Sequence, residues 1–128
     1  MRLLLDTHIF LAVIGSEIGK LPAHTQDLLS GQEDEYHLSA ASLWEIAIKC
    51  RLGKLRLSTP LAVLPELVDG LGIEALPINE QHAVAFPDPP PATRDPFDRM
   101  LLAQCQTENM QLVTVDHALI SHPLAAKR

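Results

Sequence analysis

Four acidic residues stand at comparable places in four well-separated segments of the chain. Asp6 closes the apolar run "RLLLD", and Asp116 closes "QLVTVD". Glu45 lies early in the stretch "SLWEIAIKCRLG", and Asp98 lies in "RDPFDRM", where the apolar "MLLAQC" begins. Carboxylates brought together repel one another, so in the absence of a cation at least one of them resists ionisation. An all-oxygen cluster suits a hard divalent ion such as Mg2+, which keeps several waters and leaves room for a substrate phosphate. Such an ion activates water and stabilises both oxygens of an in-line displacement at phosphorus. The chemistry open to the four acids is therefore phosphoester hydrolysis, provided that the fold gathers them.

The elements that must do the gathering can be read from periodicity and punctuation. "RLLLD" reads as a buried strand, and "THIFLAVI" has helical spacing closed by Gly15. "LPAHTQDLLSG" places Pro22 near a helix start and Gly31 past its end, and "YHLS" (36–39) is a short strand. "SLWEIAIKCRLG" sets Leu43, Ile46, Ala47 and Cys50 on one helical face, ended by Gly53. A helix follows in "TPLAVLPELVDGLG", with Pro65 as its blemish, then a strand (73–77) and a short helix (79–86). "PDPPPATR" (87–94) is a proline-rich loop. Residues 95–109 form the clearest helix, 111–116 a last strand, and the tail has room for about one helical turn. Strands alternating with helices predict an α/β fold, a parallel sheet with helices on both faces.

That architecture directs the acids to one place. In an open parallel sheet, ligands bind beyond the carboxyl ends of the strands. Asp6 and Asp116 are expected there as strand ends. The helices carrying Glu45 and Asp98 are expected to begin at the same edge, so the four carboxylates would meet on one rim.

Each acid also has a structural reading. Asp95 suits an N-cap, Pro96 the first helical position, and Asp98 the positive end of the helix dipole. "SLWE" is a capping-box pattern from Ser42 to Glu45, and Glu45 could pair with Lys49 four residues on. Asp116 fits a strand-to-helix turn. Asp6 is hardest to explain this way, because an acid directly after "LLL" at a buried strand end costs solvation unless something compensates. Only the joint placement favours a metal site, with Asp95 as the cap and an outer ligand role left open to it.

Rival constellations are weaker. His8, His82 and His117 lack zinc-ligand spacing and read as surface or packing histidines. Ser39 and Ser42 have no nucleophile-elbow glycines around them, and there is no Walker loop or G-x-G-x-x-G. Trp44 and Phe97 read as core residues.

The totals set the bounds. With 128 residues, 47% apolar and 20% charged, the chain is expected to form one globular domain over 1–128. No apolar stretch is long enough to span a bilayer, so no membrane partner is expected. Asp6 and His8 break the N-terminal apolar run, which argues against a signal peptide and for a cytoplasmic protein. Cys50 and Cys105 are expected as reduced, packed thiols. A formal net charge of −6 argues against simple electrostatic binding to nucleic acid, though not against an enzyme that concentrates acids around a cation. Lys49, Arg51 and Lys54 of "KCRLGKLR", with Arg99, are the candidate contacts to substrate phosphates.

The segments "LLLDTHIFL", "SAASLWEIAIKCRLGKL", "RDPFDRMLLAQC" and "LVTVD" together resemble those of PIN-domain proteins, above all the VapC-type toxins of bacterial toxin–antitoxin pairs. The resemblance runs from residue 3 to about 121, with its motifs in family order. It implies a three-layer α/β sandwich on a mainly parallel central sheet, and Mg2+- or Mn2+-dependent endoribonuclease activity. Asp6, Glu45, Asp98 and Asp116 fall on the family's acidic positions, as metal ligands and catalytic residues. Thr114 falls on its small hydroxyl position. The partners expected are RNA as substrate, a cognate antitoxin with a basic inhibitory segment, and a second copy of the chain as a homodimer. The chain departs from similar family members at Thr93, where they often carry His, and in its first helix, which is aliphatic from Leu11 to Ile14. The acids alone leave open a non-catalytic binding protein with the same sheet, a metal-dependent phosphatase, or a DNA nuclease.

Overall fold

The computed structural model describes residues 1–127. Arg128, the last residue of the expected domain, lies outside the described residues. Four short strands form one sheet in the order β3-β2-β1-β4, with every pairing parallel. They are β1 (Arg2–Leu5), β2 (Glu35–Ser39), β3 (Glu74–Leu76) and β4 (Gln111–Val113). Register places Leu4 level with His37 and with Leu112, and His37 level with Glu74.

The alternation of side chains along β1 divides the core in two. Leu3 and Leu5 face a cluster built with Ile9 and Phe10 of α1 (Thr7–Ile14), Leu28 of α2 (Ala23–Leu29), and Leu64 and Val68 of α4 (Leu64–Gly70). Leu4 faces the other way, onto Leu101, Leu102 and Cys105 of α6 (Pro96–Glu108). The helices that connect β1 to β2 and β2 to β3 thus cover one face, and α6, which leads from β3 to β4, covers the other. Crossovers of one hand give this arrangement when the chain reverses its direction across the sheet. α3 (Ala40–Arg51) contributes to both clusters, through Ile46 to the first and Ala41 to the second. The expected sandwich on a parallel sheet is therefore the observed fold.

Local chemistry explains most element boundaries. Pro96 opens α6 with Asp95 as its N-cap, whose Oδ1 accepts from Phe97 N at 2.9 Å, as the sequence predicts. Asn109 ends that helix in a left-handed conformation, a role Asn tolerates. Pro65 is no blemish: a 3-10 turn at Leu61–Val63 precedes it, and the proline sits in the first turn of α4, where a missing N–H costs nothing. The proline-rich loop is fastened rather than regular. Asp88 N donates to Gln106 Oε1 at 2.8 Å, and His122 Nε2 lies 2.7 Å from Pro89 O. The short helix α5 (Glu80–Val84) is locked to α6 through His82, whose Nδ1 accepts from Asn79 N and whose Nε2 lies 2.7 Å from Glu108 Oε2.

Three expectations are corrected. β4 ends at Val113 rather than at residue 116, and Asp116 follows in a turn. Ser42 is not a helix cap: α3 starts directly after β2, and Ser39 caps it by accepting from Ala41 N at 2.9 Å. Glu45 therefore has no capping-box role. Among the described residues the tail forms no helix. Leu112 N donates to Leu124 O and Ala126 N donates to Leu112 O, both at 2.8 Å, so the tail shields the outer edge of β4.

The cap assignment has a direct test. Ser39→Ala should cost about 1 kcal/mol in urea unfolding, the usual loss for an N-cap hydroxyl. A variant as stable as the wild type would show that the α3 start does not depend on this bond.

Candidate functional site: an acidic rim at the carboxyl ends of the strands

β1 is the strand from which the chain departs in one direction toward β2 and β3, while β4 is added on its other side. The gap beyond β1 and β4 is thus the switch point of the sheet, the position at which open α/β sheets bind ligands. Asp6 and Thr114 occupy it.

Asp6 is buried and fixed at both oxygens. Oδ1 accepts from Thr7 N at 2.8 Å, capping α1, and Oδ2 accepts from the Thr114 hydroxyl at 2.6 Å. Thr114 Oγ1 in turn accepts from Asp116 N at 3.1 Å. Burial pushes the Asp6 carboxyl above its ordinary value, against the pull of the Thr114 and Thr7 hydrogen bonds and the charge of His8. Asp116 adds to the upward push, which places its charge within reach. Asp116 itself is exposed, and its Oδ1 caps the following turn by accepting from Ala118 N at 2.8 Å.

Glu45 is buried on α3 and is also held at both oxygens. Its Oε1 lies 2.7 Å from Thr7 Oγ1, and its Oε2 pairs with Lys49 Nζ at 2.9 Å. Thr7 Oγ1 also lies 2.9 Å from Ser42 Oγ. A hydroxyl has one proton and a carboxylate only accepts, so Thr7 donates to Glu45 and Ser42 supplies the other bond. The expected Glu45–Lys49 pair is therefore present, within a network that joins α1 to α3. The Glu45 hydrogen bond is the main reason that the Lys49 ammonium is held above its ordinary value, and Asp95 and Asp98 contribute.

Asp98, in the first turn of α6, feels every other acid. Burial first, then the charges of Asp95, Asp6, Asp116 and Glu45, push its carboxyl from 3.8 up to about 7. Acids from all four segments thus act on Asp98, as the topology predicts, but among the described residues no three of the rim carboxylates lie within 4.8 Å of one another, so holding one ion requires their side chains to move. A cavity of about 210 Å3 lined by Asp6, His8, Val115 and Asp116 opens at the rim. A larger one, about 540 Å3, lies on the other side of Thr114 and is lined in part by His24, Thr25, His117 and Lys127. Of the four acids, Asp6 and Asp116 line the smaller cavity and none lines the larger.

The PIN-domain family profile matches residues 3–123. The chain belongs to the PIN-domain family. PIN domains are in general metal-dependent nucleases. No curated protein and no solved structure gives a significant match. No helix among the described residues is long and apolar enough to cross a membrane.

Within this PIN domain the candidate RNA contacts do not form one patch with the acids. Lys49 is at the rim, whereas Arg51 and Lys54 are exposed at and beyond the far end of α3. Arg99 lies 5.1 Å from the centre of the Phe86 ring, with Nη2 3.5 Å from Ala83 O. Trp44 is not a core residue: it is 64% exposed and meets Phe97 edge-on at 5.8 Å. Thr7 and Ser42, which hold Glu45, were not singled out from the sequence as site residues. Their signal is the placement of hydroxyls beside acids, in "DTH" and "SLWE".

The cluster makes stability depend on pH. In the unfolded chain Asp98 releases its proton near 3.8, whereas the metal-free folded chain holds it up to about 7. Between those values the folded state binds more protons, so stability falls as pH rises and then levels off. Asp98→Asn removes that penalty. In EDTA the variant should be more stable than the wild type by an amount that grows from about pH 4 to about pH 7 and is constant above it. Urea unfolding across that range measures it, and a difference independent of pH would separate Asp98 from the other acids.

Proposed function

We propose that this PIN domain is an endoribonuclease that uses Mg2+ or Mn2+, and that it acts as the toxin of a VapBC-type pair. The observation that supports this most is the elevated carboxyl of Asp98, raised to about 7 by burial and by four neighbouring acids. A cluster that resists its own ionisation is one that a cation completes. The donors are all oxygens and belong to hard ligands, which fits Mg2+ or Mn2+.

Asp6, Glu45 and Asp98 would hold the ion, with Asp116 completing the set or supporting a second ion. An ion held there would lower the pKa of water and offset charge at the scissile phosphate. The chain's own residues do the rest. Thr114 and the Thr7 amide fix Asp6 before any ligand arrives, which limits reorganisation at the reacting centre. Thr7 does the same for Glu45. Lys49, paired with Glu45 in the free protein, would turn its ammonium toward a substrate phosphate if Glu45 held the cation. Attack in line on phosphorus and departure of the 3′ oxygen give 3′-hydroxyl and 5′-phosphate ends. The cavity beyond Thr114 would take a flanking nucleotide.

The family includes toxins paired with antitoxins. An arginine offered in trans could form bidentate bonds with these carboxylates and exclude cation and RNA together. A cognate antitoxin with a basic inhibitory segment is the partner this rim suits, and its removal would expose the nuclease.

Two experiments test the reading. Purified protein should cleave structured RNA with Mn2+, lose activity with EDTA, and lose it in folded Asp6→Asn. Single-stranded DNA and small phosphoesters should react far more slowly. Cleavage insensitive to EDTA, or full turnover by Asp6→Asn, would overturn the mechanism, and a preference for DNA or small esters would overturn the substrate. Mn2+ must also displace the Asp98 proton. Its affinity should rise about tenfold per pH unit toward pH 7 and then level off. In Asp95→Asn, which keeps the cap but removes the largest charge acting on Asp98, the break should move to lower pH while cleavage persists. Calorimetric titration across pH gives both curves, and an unmoved break would remove Asp95 from the electrostatics of the site.

A further inference from the structure

A second group of candidate ligands lies away from the rim. Glu35 and His37 are two residues apart on β2 and so share one face of the sheet, and Glu74 is the register partner of His37 on β3. Glu35 is level with Arg2, and His37 with Leu4. The group therefore sits two to four residues back along the strands from Ser39, roughly 7–13 Å at the rise of a parallel strand.

His37 is the unusual member. It is 4% exposed, yet neither ring nitrogen has a hydrogen-bond partner. Nδ1 is 3.8 Å from Glu74 Oε2, and Nε2 is 4.0 Å from Glu35 Oε1, both too long for hydrogen bonds. A buried polar ring left unpartnered costs free energy, and native proteins usually satisfy such groups. Both glutamates are by contrast exposed, with side chains 62% and 74% accessible. One donor atom from each of the three residues lies within 4.8 Å of the other two.

We propose that Glu35, His37 and Glu74 form a binding site for a divalent ion of the zinc type. The imidazole decides the class. Mg2+ and Ca2+ take oxygen ligands, whereas an imidazole with two carboxylates suits Zn2+ and its neighbours. Tetrahedral coordination at about 2.0–2.2 Å requires donors about 3.3 Å apart. One ring nitrogen takes the ion, and both glutamates must close in toward it by up to about 1.5 Å, which their exposed side chains are free to do. The imidazole, fixed in the middle of β2, need not move. Water fills the fourth position from the exposed side. The ion clips the three-residue edge strand β3 to β2, and it does so independently of the nuclease reading, since no rim residue takes part. A protonated imidazole shared by two glutamates is the competing explanation, and it binds no metal.

The test is a calorimetric titration with Zn2+ in saturating Mg2+, which competes for any rim carboxylates. It compares the wild type, Glu35→Gln/Glu74→Gln and Asp6→Asn. Both glutamates are exposed, so the double variant is expected to fold, and circular dichroism checks this. The wild type and Asp6→Asn should each bind one Zn2+ with equal affinity, and their melting temperatures should rise with Zn2+. The double variant should bind at least about 10- to 100-fold more weakly, since losing even outer-sphere partners costs that much, and its melt should not move. X-ray absorption of the wild-type complex should show one imidazole in the first shell. Equal Zn2+ affinity in the double variant, no binding by the wild type, or binding lost in Asp6→Asn alone would each overturn the proposal.

Discussion

Mutual repulsion among carboxylates is the constraint that organises this molecule. Asp98 sits half-buried at the start of α6, and burial first, then the charges of Asp95, Asp6, Asp116 and Glu45, raise its carboxyl to about 7. A fold keeps such an arrangement only if the remaining acids are individually supported. Asp6 has the Thr114 hydroxyl and the Thr7 amide, and Glu45 has the Thr7 hydroxyl and Lys49. Asp95 and Asp116 are occupied as caps, accepting from Phe97 N and Ala118 N. Asp98 is the acid at which the unrelieved charge collects.

The sheet makes this convergence possible. Parallel strands put their carboxyl ends on one edge, so segments more than a hundred residues apart, such as Asp6 and Thr114, meet at 2.6 Å. The core on either face is apolar and does not compete for the rim. Leu3 and Leu5 hold α1, α2 and α4, and Leu4 holds α6. α6 delivers Asp98 because Asp95 and Pro96 start it at the correct place, and Phe97 anchors its first turn against the second core cluster. Helix start and acidic site are thus two uses of the same seven residues, Arg94–Met100.

Much of this was legible in the sequence. The bounds of α1, the Asp95 cap and the convergence of the four acids follow from spacing and from the rule about strand ends. What failed did so for tertiary reasons. "QLVTVD" has the pattern of a longer strand, but its partner β1 ends at Leu5, the residue opposite Val113, and nothing remains for Thr114 to pair with. "SLWE" imitates a capping box, yet β2 runs into α3 without a loop, and Ser39 already does the capping. Trp44 is exposed although its neighbours Leu43 and Glu45 face inward, because one helical step turns it away from the core. The unpartnered ring of His37 left no trace in the sequence, since it depends on the register of β2 against β3.

The central claim is that the rim is an electrostatic whole with Asp98 at its focus, completed by a divalent cation. Carbon-13 NMR titration of the Asp98 side-chain carboxyl, without metal and again with saturating Mg2+, reads this directly. The account predicts a midpoint near 7 in the metal-free protein, as burial and the neighbouring acids dictate, and a fall of the midpoint well below that when Mg2+ is bound. A metal-free midpoint near the ordinary value of 3.8, or one that Mg2+ leaves in place, would contradict it.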